Sequence, residues 1–157
     1  MIALVATALD PAALLASVAD PDHGGTALFV GTTRRERGER EVVELRYEAY
    51  EELAMAELRA IAAEAEGAYS ARVAVEHRVG PVAVGAPSVV VAASAGHRPA
   101  AFAACRYVID ELKARAPIWK QTIHADGAAT WVDGCAGRHD VVPHDHTEPT
   151  GSHSDGG

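Results

Sequence analysis

Cysteine and long apolar runs are both scarce in this sequence. Cysteine occurs only as Cys105 and Cys135, without a CxxC spacing, so the sequence predicts neither a disulfide framework nor a zinc site. Cys105 stands among apolar residues, a setting that favours a core position over a nucleophile. No stretch approaches about eighteen consecutive apolar residues, and Asp10 and Pro11 interrupt the apolar N-terminus before any cleavage site. We therefore expect neither a membrane span nor a cleaved leader, and we predict a cytoplasmic protein.

Positive charge is also scarce. The chain carries 14 Lys and Arg residues against 22 Asp and Glu residues, which gives a formal net charge of -8. General binding to nucleic acids or to membrane surfaces needs a basic surface, so this balance argues against both. An anion that binds here has to be held by a local group of cations. Lysine is the rarest cation, because it occurs only as Lys113 and Lys120 and the other twelve basic residues are arginine.

The residues that are present suffice for one folded domain. A length of 157 residues with 48% hydrophobic content supports one core but not two. We place this domain at residues 1–142. No large apolar residue follows Pro143, so we expect residues 143–157 to form a disordered polar tail. The histidines near this end have no regular ligand spacing, and we predict no metal site among them.

Hydrophobic periodicity predicts helices and strands that do not alternate strictly. The predicted helices cover residues 11–18, 51–66 and 99–115, and the predicted strands cover residues 2–8, 26–31, 42–47, 72–79, 88–95, 118–123 and 129–132. This order is typical of an α+β fold with a largely antiparallel sheet and flanking helices. Gly67 is predicted to end the second helix, and Phe102 to lie on the buried stripe of the third. The strands on either side of residues 32–40 are predicted to form a hairpin.

An arginine-rich loop is the first candidate site. Four guanidinium groups fall close together in an acidic chain, and a guanidinium can bind phosphate through two parallel hydrogen bonds. They belong to Arg34, Arg35, Arg37 and Arg40. Because Glu36, Glu39 and Glu41 partly cancel this charge, a self-neutralising loop in solvent stays open as the alternative.

The pair His97 and Arg98 is the second candidate, because it precedes Pro99 at a predicted helix start. Free backbone N–H groups and the helix dipole favour an anion at such a place. The alternative is that His97 only caps the helix. His77 differs from His97, because it shares one face of a predicted strand with three valines, and we predict a core histidine there.

The two lysines form the third candidate. Lysine can lose its proton when its neighbours depress its pKa, whereas arginine keeps its charge, so lysine can act as an acid, a base or a nucleophile. Both lysines fall in the short segment KARAPIWK of a chain that otherwise uses arginine. Taken singly, Lys113 could be an ion-pair partner of Asp110 and Lys120 an exposed strand residue. Their clustering favours a function.

Four segments in this order resemble one known family, the catalytic subunits of molybdopterin synthase, also called the MoaE family. The resemblance covers residues 25–132. The segments are ALFVGTTRRERGEREVVELRYEAY, VEHRVGPVAVG, AGHRPAAFAACRYVIDELK and KARAPIWK. It implies an α/β hammerhead-like domain and a homodimer, with one small ubiquitin-like sulfur carrier bound to each subunit, so that the assembly is a heterotetramer.

The resemblance also implies a reaction. The carrier's C-terminal Gly-Gly thiocarboxylate would supply sulfur that converts cyclic pyranopterin monophosphate, also called precursor Z, to molybdopterin, a step of molybdenum cofactor biosynthesis. The step consumes neither ATP nor a metal, so no cofactor is expected. By motif, Arg34, His97 and Arg98 would hold the phosphate of the pterin substrate. Lys113 and Lys120 would flank the thiocarboxylate and the reacting carbons as catalytic residues.

Two departures from the family pattern bear on substrate affinity. Gln121 and Thr122 follow Lys120 where the family often has a basic residue and a glutamate, and Cys135 stands where it often has an arginine, Arg138 being the next basic residue. A competing interpretation is a non-catalytic module that binds a phosphate ligand or a nucleotide. The chain itself ends in Gly156-Gly157, as a sulfur carrier does, and we interpret that ending as coincidence.

Overall fold

The computed structural model describes residues 1–35 and 41–132. These residues form an α+β fold, as the sequence predicts. The helices are α1 (Pro11–Ser17), α2 (Glu51–Tyr69) and α3 (Arg98–Arg115), and the strands are β1 (Ile2–Val5), β2 (Gly25–Thr32), β3 (Val42–Ala49), β4 (Ala71–Arg78), β5 (Gly80–Ala83), β6 (Pro87–Ala95), β7 (Ile118–His124) and β8 (Ala129–Val132). The predicted domain end at residue 142 and the predicted disorder of residues 143–157 lie outside the described residues, as do Arg37, Arg40, Cys135 and Arg138.

Two sheets of four strands each organise the described residues, in the orders β1-β4-β6-β2 and β5-β3-β7-β8. Every strand pair is antiparallel except β1 with β4. The predicted hairpin between β2 and β3 is therefore wrong, because β2 pairs with β6 and β3 pairs with β5 and β7. The reason lies in β6, which is buried along nearly its whole length and needs a neighbour at each edge, so β4 and β2 flank it.

The main core lies between the first sheet and helices α2 and α3. Residues of β4 alternate between two apolar clusters, with Val73 and Val75 facing the large helices and Ala74 facing α1. The apolar stripe of α2, which includes Leu58 and Ile61, is fully buried in the larger cluster. Asp10 caps α1, since its Oδ1 accepts from the backbone N–H groups of residues 12 and 13 at 2.9 and 3.1 Å.

Helix α2 continues three residues past its predicted end. Gly67 does not end it, and the helix terminates at Ser70, whose left-handed backbone has φ 48°. Packing outweighs the modest cost of a helical glycine, about 1 kcal/mol, because Tyr69 packs against the core and meets the ring of Tyr107 edge-on at 6.0 Å. No described helix is long and apolar enough to cross a membrane.

Two further predictions are corrected. Phe102 is 65% exposed, and small and medium residues of α3 form the buried stripe in its place, namely Ala101, Ala104, Cys105, Val108, Ile109 and Leu112. Gly80 and Pro81 begin β5, a short strand between the predicted strands 72–79 and 88–95 that was not predicted from the sequence. Proline is tolerated there because β5 is an edge strand, where a missing N–H disrupts no inner ladder.

Candidate active site

Arg34 lies just beyond the end of β2. The chain before it is fixed by Thr33, whose N–H donates to the carbonyl oxygen of Ala86 at 3.0 Å and whose carbonyl oxygen accepts from the N–H of Gly85 at 2.6 Å. Thr33 is buried, while Arg34 and the neighbouring Arg35 are exposed. The two guanidinium groups are therefore presented to solvent from an anchored backbone, which is compatible with holding an anion.

His97 and Arg98 lie at the junction of β6 and α3, and both are exposed. His97 occupies the N-cap position, but its side chain makes no capping hydrogen bond, so its imidazole does not cap the start of the helix. No acidic residue stands in the first turn of α3, which leaves the positive end of the helix dipole uncompensated there. Gly25 allows this junction to pack closely on β2, because an added Cβ atom would lie 2.9 Å from the Cα and N of Arg98.

Lys113 lies exposed on the last turn of α3. The ion pair with Asp110 that the sequence offered as an alternative is not formed, since Asp110 accepts from Nε of Arg106 at 3.3 Å instead. Within the described ranges, no salt bridge involves either Lys113 or Lys120. Among the described residues, an ion pair therefore does not account for the lysine at position 113.

Lys120 is half-buried in the middle of β7. Its side chain shares a strand face with Ile118 and Thr122, which are 2% and 6% exposed, so the lysine lies on the inner face of the second sheet. Directly opposite it in the β3–β7 ladder is Tyr47, which packs against the main core. The alternative of an exposed strand position is therefore wrong for Lys120. The amine of Lys120 thus lies at the edge of an apolar interior.

The side chains of Tyr47 and His77 connect the surroundings of Lys120 with the main core. Their rings meet edge-on, with centroids 5.0 Å apart and planes 76° to each other. His77 is a core histidine, as predicted, and its Nδ1 lies 2.8 Å from the carbonyl oxygen of Arg78, so Nδ1 carries a proton and donates it. Burial lowers the pKa of His77 from 6.5 to about 4, so the ring is neutral near pH 7. Sequence reasoning missed Tyr47, because no sequence pattern pairs it with Lys120.

The lowered pKa of His77 predicts a pH-dependent stability. Between pH 6.5 and about 4 the unfolded chain binds a proton at His77 that the folded chain does not bind. The free energy of unfolding should therefore fall by about 3 kcal/mol as pH drops through this window, and the stabilisation should be fully present above pH 6.5. His77→Phe should remove this part of the slope, while the lost hydrogen bond adds an offset independent of pH.

Urea unfolding of both proteins between pH 4.5 and 7.5 measures this difference. Other groups titrate alike in the two proteins, so their contributions cancel in the comparison. Equal slopes for wild type and His77→Phe would show that His77 is not buried as a neutral ring.

The predicted site residues fall into two groups. Lys120 is opposite Tyr47 in the β3–β7 ladder, and the ring of Tyr47 contacts the ring of His77. His77 is paired with Val89 of β6, and Val89 is paired with Gly31 near the end of β2. Helix α3 returns along β6 and β2, so Lys113 lies toward this same end, where Arg34 follows. His97 and Arg98 lie at the opposite end. Since α3 rises about 1.5 Å per residue, Lys113 and Arg98 are about 22 Å apart along its axis.

Cys105 does not belong to either group. It is 6% exposed, its Sγ lies 3.6 Å from the carbonyl oxygen of Val91, and burial raises the pKa of its thiol. The prediction of a core cysteine is confirmed. Among residues 1–35 and 41–132, no three His, Cys, Asp or Glu side chains are grouped to hold a metal ion.

Comparison with known proteins shows the family to which the chain belongs. Residues 4–115 match the family described as MoaE protein, and the chain belongs to the MoaE family. The molybdopterin synthase catalytic subunit of Oryza sativa subsp. indica is 53% identical over 120 residues, which are 76% of this chain and 62% of that protein. The protein of that name from Thermoplasma volcanium is 40% identical over 124 residues, 78% of this chain and 90% of that protein.

A solved structure shares the fold at similar coverage. Molybdopterin synthase from Staphylococcus aureus superposes with a TM-score of 0.78 at 27% sequence identity, over 82% of this chain and 94% of that one. The chain spans 62% of the length of the rice relative, so the activity of that whole protein is not transferred by similarity alone.

Proposed function

We propose that this chain is a sulfurtransferase, the catalytic subunit of molybdopterin synthase, which converts cyclic pyranopterin monophosphate to molybdopterin. The observation that carries the proposal is the position of Lys120, which lies half-buried on the inner face of β7 opposite Tyr47 in a member of the MoaE family. Relatives of 40% to 53% identity carry the name molybdopterin synthase catalytic subunit, which supports the activity and a second type of subunit.

The chemistry follows from the two kinds of cation. Arginine keeps its positive charge, so Arg34 and Arg98 bind the phosphate and stabilise the negative charge that develops as sulfur adds to the pterin. Lys113 and Lys120 face the thiocarboxylate of a small ubiquitin-like carrier, whose C-terminal Gly-Gly segment enters the site. The thiocarboxylate sulfur forms a bond to a pterin carbon while a C–O bond at that carbon breaks, and water then cleaves the acyl–sulfur bond, which releases the carrier as a carboxylate. A lysine can donate a proton to the leaving oxygen and accept one from the attacking water, which arginine does not do.

The two groups of site residues require a second copy of the chain. A distance of about 22 Å along α3 is too long for one pterin phosphate to contact Lys113 and Arg98 of the same chain. A homodimer with two-fold symmetry places the same surface of each copy against the other, so it can bring the α3 start of one protomer to the lysines of its partner. With one carrier on each protomer, the assembly is a heterotetramer.

The competing function is a non-catalytic module that binds a phosphate ligand or a nucleotide through the arginines and the helix start. Both functions predict that the pterin precursor binds. Only the synthase predicts a dithiolene product when the chain is incubated with precursor and thiocarboxylated carrier. Binding of the precursor without product, at carrier concentrations that saturate the protein, would favour the module and contradict the synthase.

The phosphate assignment predicts a selective effect of Arg98→Ala. A charge-assisted hydrogen bond is worth about 1.5 to 3 kcal/mol, so the Kd of the precursor should rise by roughly tenfold to a hundredfold. Carrier affinity should change by less than about twofold, because the carrier tail is assigned to the two lysines and not to Arg98. Calorimetric titration of each ligand separates the two effects.

Arg106→Ala is the matched control for this experiment. Arg106 lies on the same helix, its side chain is 84% exposed, and it pairs only with Asp110 among the described residues. Its removal should leave both affinities unchanged. A loss of carrier affinity with intact precursor binding in Arg98→Ala would overturn the assignment of the phosphate.

A further inference from the structure

A cluster of charges between α2 and α3 lies outside the residues that sequence reasoning selected. Arg115, the last residue of α3, contacts carboxylates on both helices. Its Nε donates to Glu57 at 3.0 Å, and its Nη1 and Nη2 donate to the two oxygens of Glu64 at 2.7 and 3.2 Å. Nη1 also lies 3.4 Å from Glu111, and the hydroxyl of Tyr107 donates to Glu64 at 2.8 Å.

The geometry of this cluster requires arginine. Two parallel hydrogen bonds to Glu64 and a third to Glu57 use the planar fork of the guanidinium, which an ammonium group cannot reproduce. Hydrogen bonding from Arg115 lowers the pKa of Glu64, and hydrogen bonding to Glu64 raises the pKa of Arg115. By contrast, the nearby pair of Arg106 and Asp110 is a single contact within α3 that leaves the arginine 84% exposed.

The cluster lies between the two lysines along the chain. Arg115 follows Lys113 by two residues and precedes Lys120 by five. In the intervening segment, the carbonyl oxygen of Pro117 accepts from the N–H of Tyr50 at 3.2 Å, immediately before α2 begins. The segment that carries both lysines is therefore tied to α2 at two places, through the side chain of Arg115 and through the backbone of Pro117.

Arg115 does not share a helix face with Lys113. Two residues correspond to a rotation of about 200° around a helix axis, so Arg115 faces α2 while Lys113 points away from it. The guanidinium can thus restrain the last helical turn from the side that faces α2, opposite Lys113, without contacting the carrier or the pterin.

We propose that Arg115 is a positioning residue that fixes Lys113 relative to Lys120 by tying the last turn of α3 to α2. This assignment rests on the proposed function in one respect, that the two lysines act at the thiocarboxylate. Arg115→Gln should lower kcat by about tenfold and leave the KM for the precursor nearly unchanged, because a shift of about 1 Å at a distance from the chemistry can cost up to a hundredfold in rate.

Glu64→Gln breaks the same contact from α2 and should lower kcat in the same direction. Because Arg115→Gln already removes the contact with Glu64, adding Glu64→Gln should lower kcat little further. Arg106→Gln, which removes an exposed pair from the same helix, should keep the wild-type kcat and serves as the matched control.

A second readout does not depend on turnover. The chain has only two lysines, so acylation with an amine reagent followed by peptide mass spectrometry reports Lys113 and Lys120 separately. The ratio of their labelling rates should change by about threefold or more in Arg115→Gln and in Glu64→Gln, because each lysine's surroundings change when the last turn moves. The ratio should stay at the wild-type value in Arg106→Gln. A thermal melt identifies the temperature at which every variant is fully folded.

A wild-type labelling ratio and a wild-type kcat in folded Arg115→Gln would overturn the proposal. A fall in kcat that only follows the folded fraction, with the ratio unchanged, would also overturn it and leave Arg115 as a stabilising residue. A changed ratio in Arg115→Gln, with no molybdopterin formed by any protein including wild type, would support the positioning of the lysines and contradict the proposed function instead.

Discussion

Lys120→Arg is expected to lower the single-turnover rate by about a hundredfold or more, although the charge is kept. The reason is that arginine does not release a proton near neutral pH, and proton transfer by a positioned side chain contributes about a hundredfold to ten-thousandfold in rate. The larger guanidinium also has to fit between Ile118 and Thr122 on the inner face of β7. Product formation is measured with saturating thiocarboxylated carrier, and a thermal melt shows that the variant is folded.

Lys113→Arg should show the same direction of change with a smaller loss. Lys113 is exposed on the last turn of α3, where a longer side chain is accommodated more easily than on β7. The charge-preserving control is Arg106→Lys on the same helix, which should keep the wild-type rate. Near-wild-type rates for both lysine variants would reduce the lysines to fixed cations and contradict the proton-transfer mechanism.

Mixing two inactive variants is expected to restore activity if each site is built from two protomers. Arg98→Ala and Lys120→Ala are each expected to be nearly inactive at low precursor concentration. In a mixed dimer, the intact Arg98 of one chain meets the intact Lys120 of the other, so one of its two sites is complete. Random pairing makes half of the dimers mixed, and one of the two sites in each mixed dimer is complete, so about a quarter of the wild-type activity should return.

The two variants are unfolded together and refolded as an equimolar mixture, so that the subunits exchange. Each variant refolded alone is the control and should stay inactive. No recovery, in a mixture that native mass spectrometry shows to contain mixed dimers, would place Arg98 and Lys120 in the same site of one chain. Such a result would contradict the dimeric site.

Much of the fold could be predicted from the sequence because its elements have strong local patterns. The apolar run of β6 and the stripe of α2 with Leu58 and Ile61 need burial in any fold, and both were located within a few residues. The hairpin of β2 and β3 was predicted wrongly, because strand partners are decided by packing between distant segments. Gly67 and Phe102 were misassigned for the same reason, since tertiary contacts outweigh local propensity.

The residues of the candidate site could be predicted from the sequence, but their positions relative to one another could not. Lysine scarcity and the helix start identified Lys113, Lys120, His97 and Arg98 from chemistry alone. Their separation into two groups depends on the direction of α3 along the sheet, which no local pattern contains. Tyr47 and Arg115 escaped notice because their roles arise from a cross-strand register and from contacts between two helices.

The origin of sulfur in the product distinguishes a sulfur-transferring subunit from a module that only binds its ligands. Carrier with a 34S-labelled thiocarboxylate is mixed with this protein and unlabelled precursor in a single turnover, and the pterin product is analysed by mass spectrometry. We expect molybdopterin that carries two 34S atoms, both taken from the carrier, and no product when this protein is omitted. A product without the label, or no product although carrier and precursor both bind, would contradict the assignment of this chain as the sulfur-transferring subunit.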